Sequence, residues 1–182
     1  MLIDILMALA AGVWLTGPDA WITQVYGPET FLAESDRTDV PESSGVVASR
    51  IASDVYWTHN DSGARRPRVW AFRLTSNGRN RSKAASLGYV ELMGASNQDW
   101  EDIAAGPGKT IYVFDGGDNP PCKRDNKRIH RFVEPSINSN DKSLALAVRY
   151  ETFRFEYPRA GQPSRPAIHN DDRYDAECLC VH

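Results

Sequence analysis

One acidic pattern opens three stretches of this 182-residue chain, and each copy stands directly before an apolar run that reads as a strand. The copies are Glu42-Ser43-Ser44-Gly45-Val46, Asp99-Trp100-Glu101-Asp102-Ile103 and Asp175-Ala176-Glu177-Cys178-Leu179. The residues after the first two openings also correspond. Gly45 to Ala48 leads through a polar break to Val55-Tyr56-Trp57-Thr58-His59-Asn60-Asp61-Ser62-Gly63. Asp102 to Ala105 leads through Gly106-Pro107-Gly108-Lys109-Thr110 to Ile111-Tyr112-Val113-Phe114-Asp115-Gly116-Gly117-Asp118-Asn119. Repetition on this scale restricts the fold to one in which a single supersecondary unit is stacked on copies of itself.

The first unit, about 42–98, reads as four strands: Gly45 to Ala48, Val55 to His59, Arg68 to Leu74 and Ala84 to Leu92. Aromatic and β-branched residues favour strand over helix there, and Ser76-Asn77-Gly78 supplies a hairpin turn. The second unit, about 99–158, reads as Asp102 to Ala105, Ile111 to Asp115, Arg128 to Glu134 and Leu144 to Tyr157. The polar stretches Pro135 to Lys142 and Pro158 to Tyr174 read as insertions, the latter filling about 159–174. A third unit begins at 175 and contributes one strand up to His182. Four-stranded antiparallel units repeated radially make a β-propeller. The expected architecture is therefore all-β: an open, partial propeller of two four-stranded blades plus the first strand of a third. Residues 1–40 are expected to form a short N-terminal apolar segment and linker.

Composition narrows the function. A formal charge of -3 argues against a nucleic-acid surface, which needs a basic stripe to neutralise phosphates. Lys123, Arg124, Lys127, Arg128 and Arg131 cluster, but Asp115, Asp118 and Asp125 accompany them, and the group reads as a solvated loop. Three cysteines do not make a disulfide framework, and four scattered histidines do not make a zinc site. Ile5 to Leu15 is apolar but shorter than the roughly 20 residues a membrane helix needs. It reads as a signal-peptide core, although Asp4 stands where a basic residue belongs; the alternative is a buried helix or strand against the repeats. Export to the exterior or the cell envelope is the expectation, and a cytoplasmic protein the alternative.

Strand parity brings the chemistry together. If the acidic pattern opens the first strand of each unit, the second strand returns to the same edge. The Asn60-Asp61 and Asp115 to Asn119 clusters then lie beside the acidic openings. Carboxylates gathered in one mouth repel unless a cation offsets them. An Asp, Glu and Asn donor set poor in His and Cys suits a hard ion such as Ca2+. The expected ligands are Asn60, Asp61, Glu101, Asp118, Asn119 and Glu177, supported by Glu42, Asp99, Asp102 and Asp175. Turn chemistry alone is the competing explanation for each of them. His59 is the candidate general base. Trp57, Trp70, Phe72, Trp100 and Tyr112 read as packing between units. Gly106 to Thr110 ends like a phosphate-binding loop but has Ile103 where the first glycine belongs, and reads as a hairpin turn.

The ordered set Glu42-Ser-Ser-Gly, Thr58-His-Asn-Asp-Ser-Gly, Asp99-Trp-Glu-Asp-Ile-Ala, Gly117-Asp-Asn and Asp175-Ala-Glu resembles a bacterial family of largely uncharacterised six-bladed β-propeller proteins. That family is distantly similar to the calcium-dependent gluconolactonase, paraoxonase and phytase-like esterase propellers. The resemblance covers about residues 41–182. It implies an exported propeller, truncated relative to the family, whose full form holds a divalent cation, Ca2+ above all, and hydrolyses a small ester, lactone or phosphate. A non-catalytic propeller that binds a ligand or another protein is the alternative, as is a non-functional gene fragment. The implied partners are a small molecule and, through an exposed edge strand, a second copy or a complementary propeller half. Neither nucleic acid nor a stable membrane span is implied.

Overall fold

Strand formation follows the aromatic and β-branched runs, and the computed structural model describes it for residues 33–35, 38–63, 66–76, 82–119, 124–137, 143–155 and 176–181. Ten strands are present: β1 (Ala33–Glu34), β2 (Ser43–Ala48), β3 (Val55–Asn60), β4 (Arg68–Ser76), β5 (Ser82–Leu92), β6 (Trp100–Gly106), β7 (Thr110–Asp115), β8 (Arg128–Val133), β9 (Leu144–Val148) and β10 (Glu151–Arg154). No helix occurs among the described residues, so none there is long and apolar enough to cross a membrane. The expected hairpin turn at Asn77-Gly78 and the segment Ile5 to Leu15 lie outside the described residues.

Two sheets form. The first has the order β1-β5-β4-β3-β2, and the second has the order β10-β8-β7-β6. The meander β2 to β5 is antiparallel throughout, as is β6-β7-β8-β10. Between them lies one apolar layer to which Val55, Trp57, Val69 and Leu92 contribute from the first sheet, and Ile103, Ile111, Val113 and Phe132 from the second. Each is at most 3 % exposed, so water is excluded from the interface. Ala33 and Val40, in what the sequence presents as a linker, close the far side of the first sheet over Trp70, Phe72 and Ala84.

The fourth strand of the second unit departs from expectation. Leu144 to Tyr157 does not run as one strand. It divides at Arg149-Tyr150, and its first half, β9, pairs parallel with β5 of the other sheet, from Gly88↔Leu144 to Leu92↔Val148. Only β10 stays with its own unit, opposite β8. Gly88 makes the exchange sterically feasible: it holds a φ of 112°, and a Cβ there would overlap the backbone of Leu144. The outer edge of β5 is thereby covered at its two ends, by β1 at Ser82 and Lys83 and by β9 from Gly88 to Leu92, which shortens the free edge of the sheet.

Candidate functional site

In both sheets the first strand meets the second with the same irregularity at the same place. Pairing passes from Ser43↔Asn60 to Gly45↔His59 and leaves out Ser44, and from Trp100↔Asp115 to Asp102↔Phe114 and leaves out Glu101. A bulge of this kind bends the strand and re-aims the extra side chain. Here it turns the third residue of each acidic pattern out of the regular alternation. Ser44 Oγ donates to the carbonyl of Glu101 at 2.9 Å and lies 3.4 Å from Glu101 Oε2.

The second strands fix the openings by equivalent contacts. Asn60 Oδ1 accepts the Glu42 N–H at 3.3 Å, and Asp115 Oδ1 accepts the Asp99 N–H at 3.1 Å. Asn60 Nδ2 also donates to the Asp39 carbonyl at 2.8 Å. The loop after β7 is clamped by cations: Arg124 Nη2 pairs with Asp115 Oδ1 at 2.7 Å, and Lys127 Nζ lies 2.9 Å from the Gly116 carbonyl and 3.2 Å from Asp118 Oδ2. Lys127 is 4 % exposed, so this part of the basic cluster is buried rather than solvated.

These contacts bring Asp61, Asp99 and Glu101 together, with one carboxylate oxygen from each lying within 4.8 Å of the others. Two ligands about 2.4 Å from one Ca2+ are at most about 4.8 Å apart, so the spacing suits a single ion. Asp61 Oδ1 is removed from solvent and has no hydrogen-bond partner among the described residues. Gly117 backs the cluster, and a Cβ there would overlap Glu101 Oε1 and the Asp99 carboxyl. An oxygen-only donor set, one oxygen without a donor and a wall without a side chain all fit a hard divalent cation.

The electrostatics agree with that geometry. Glu101 is pushed up to about 8, first by burial, then by sharing a hydrogen bond with Glu177 and by the charges of Asp61, Glu177 and Asp99. Asp61 is raised by burial and by the nearby charges of Glu42 and Glu177. Carboxylates from all three acidic openings therefore act on one another. Asp102 braces the arrangement from outside the cluster: its Oδ1 accepts the Ile103 N–H and its Oδ2 accepts the Leu179 N–H, both at 2.7 Å. That second bond ties the third opening to β6.

The remaining expected residues are placed otherwise. Asn60 and Asp118 are engaged by backbone groups and cations as above. Asn119 is exposed, and Asp175 lies outside the described residues. His59 is fully buried, with Nδ1 2.9 Å from the Asn60 carbonyl and its ring edge-on to Trp100 at 5.8 Å. Burial lowers its pKa, which favours the neutral imidazole. Asp99, expected to support the ligands, belongs to the cluster itself. Sequence reasoning set Asp115 and Gly117 in the cluster beside the openings without giving either a role, and it missed Ser44. The equivalence of Asp115 to Asn60 comes from strand register, since Ser43 pairs with Asn60 and Trp100 with Asp115, and a residue-by-residue alignment of the two openings sets Asn60 opposite Gly117 instead. No protein-family model, curated protein or solved structure matches the chain.

Proposed function

We propose that this chain is an open segment of a β-propeller whose acidic mouth holds a hard divalent cation, with Ca2+ the best match to its donors. The observation that carries the reading is the meeting of Asp61, Asp99 and Glu101 within a single ion's reach, backed by Gly117. Glu177 and Glu42 stand beside them and are exposed, so they leave the mouth open to a small molecule. Bound Ca2+ would supply Lewis-acid polarisation of an ester, lactone or phosphate oxygen, and hydrolysis of such a substrate is the activity proposed. With His59 in the interior, the groups left to accept a proton at the mouth are the exposed carboxylates Glu42 and Glu177. The test is calcium titration followed by calorimetry and thermal melting, with a chelator control and a substrate panel. Saturable binding that raises the melting temperature is expected, and Glu101→Gln abolishes it. No thermal or calorimetric response at millimolar Ca2+ ends the cation reading, and binding without turnover leaves a ligand-binding propeller.

A second reading concerns partners. On the outer face of the second sheet Val133 is 66 % and Phe153 45 % exposed, in line with Ile129. The face of the first sheet that carries the corresponding positions is the one covered by the second sheet, so a further sheet or a second copy suits this surface. Sedimentation of the full chain tests it, and a monomer at high concentration argues against self-association.

A further inference from the structure

The first strands that begin at the acidic mouth end at a second feature of opposite sign. A cavity of about 390 Å³ is lined there by Arg50, the turn Gly106-Pro107-Gly108-Lys109 and Val181. These are the far ends of β2, of β6 and of the segment 176–181, one from each repeat. Over the length of β6, at about 3.3 Å per residue, the two features stand roughly 20 Å apart. The cavity belongs to no part of the carboxylate site.

Its two cations come from corresponding places, since Arg50 follows β2 and Lys109 precedes β7, each in the turn between the first and second strands of its unit. Neither side chain is ion-paired within 4.0 Å among the described residues. The carboxylate that joins the two turns, Glu134, is occupied otherwise. Its Oε1 accepts from Trp57 Nε1 at 2.8 Å and its Oε2 from the Arg50 N–H at 3.0 Å, while its own N–H donates to the Lys109 carbonyl at 2.8 Å. Glu134 is 4 % exposed and fixes one turn against the other, and both Arg50 and Lys109 line the cavity. The turn itself holds two consecutive left-handed residues, Gly108 with φ 67° and Lys109 with φ 60°. Lys109 is the one non-glycine residue in that region of backbone space among the described residues.

We infer that this cavity is a binding site for a small oxyanion, a phosphate or carboxylate group held between Arg50 and Lys109. Arg presents a planar fork to such a group and Lys a mobile point charge, which together suit a tetrahedral or planar anion. The site is independent of the cation mouth and stands whether or not that mouth binds metal.

The experiment tracks backbone amide chemical shifts in the full chain during titration with inorganic phosphate, and separately with succinate, at ionic strength held constant with chloride. Saturable shifts at Gly106, Gly108, Lys109 and Val181 are expected. The double variant Arg50→Gln/Lys109→Gln should weaken the midpoint by at least about tenfold, as loss of charge-assisted contacts requires. Both positions are exposed, and an otherwise unchanged spectrum shows that the variant keeps its fold. Saturation by phosphate alone identifies a phosphoryl group as the ligand, by succinate alone a carboxylate, and by both a general oxyanion site. Non-saturating shifts, shifts centred on Arg66 and Arg68 or on Arg128 and Arg131, or a double variant that binds as the parent does would each overturn the assignment.

Discussion

The two complete openings share a scaffold and differ in what they carry. Both have the bulge, both have a second-strand side chain that accepts the N–H of the opening carboxylate, and both lie at the same edge of their sheets. In the first, the bulge holds Ser44 and the acceptor is neutral Asn60. In the second, the bulge holds Glu101, and the acceptor is Asp115, fully buried and paired with Arg124. Position is thus set by backbone pairing common to both repeats, and charge is concentrated in the second by a few substitutions.

Paired substitutions sharpen that contrast. Asp115→Ala strands the Arg124 charge and is expected to cost about 3–5 kcal/mol, whereas Asn60→Ala costs about 1 kcal/mol; urea melts of both variants measure the difference. Trp100→Ala, which empties the space between the rings of His59 and His130, is expected in the same upper range, about 3–5 kcal/mol. At the equivalent position Ser43 makes only a 2.5 Å contact with Thr58 Oγ1, and Ser43→Ala should be nearly silent.

The pH dependence separates the interior from the mouth. Burial, and then the charge of Arg128, hold His130 at about 4, below its ordinary 6.5. The unfolded chain therefore binds the extra proton between those values. Stability that is fully present above pH 6.5 is lost as pH falls toward 4, by up to about 3 kcal/mol. His130→Phe should remove that slope. Glu101 acts in the opposite sense: raised to about 8, it favours the folded state below pH 4.5, and that contribution is lost as pH rises through 8. Glu101→Gln should flatten the alkaline side of a stability profile measured without metal.

Smaller effects test the cradle. Gly117→Ala forces a methyl group toward Glu101 and Asp99, with an expected cost of about 1–3 kcal/mol and weakened calcium binding by calorimetry. Ser44→Ala removes one hydroxyl donor from Glu101 and should change stability by about 1 kcal/mol or less.

The strand centres were legible because Val55-Tyr56-Trp57 and Ile111-Tyr112-Val113 have the side chains that suit a pleated, half-buried surface. Their starts were less so. Trp100 and Glu101 belong to β6 through a bulge, and a bulge leaves no mark on the apolar pattern. The crossing of β9 was hidden for a related reason, since a strand that leaves its own unit has the same composition as one that stays. In the site, repetition pointed to Asp61 and Glu101, which the structure brings together with Asp99, and to Glu177, whose charge acts on Glu101. It also pointed to Asn60 and Asp118, whose short polar side chains at strand ends meet nearby backbone groups or cations. Asp99 lies in the same group as Asp61 and Glu101, which distance along the chain does not reveal for two neighbouring carboxylates.

The Leu144–Val148 strand belongs to one unit by its place in the chain and to the other by hydrogen bonding, so it works as a stitch between them. Neither sheet can melt while the other stays whole without tearing it out. The units are consequently cooperative rather than modular, and a calorimetric scan should show one endotherm where two independent repeats would give two.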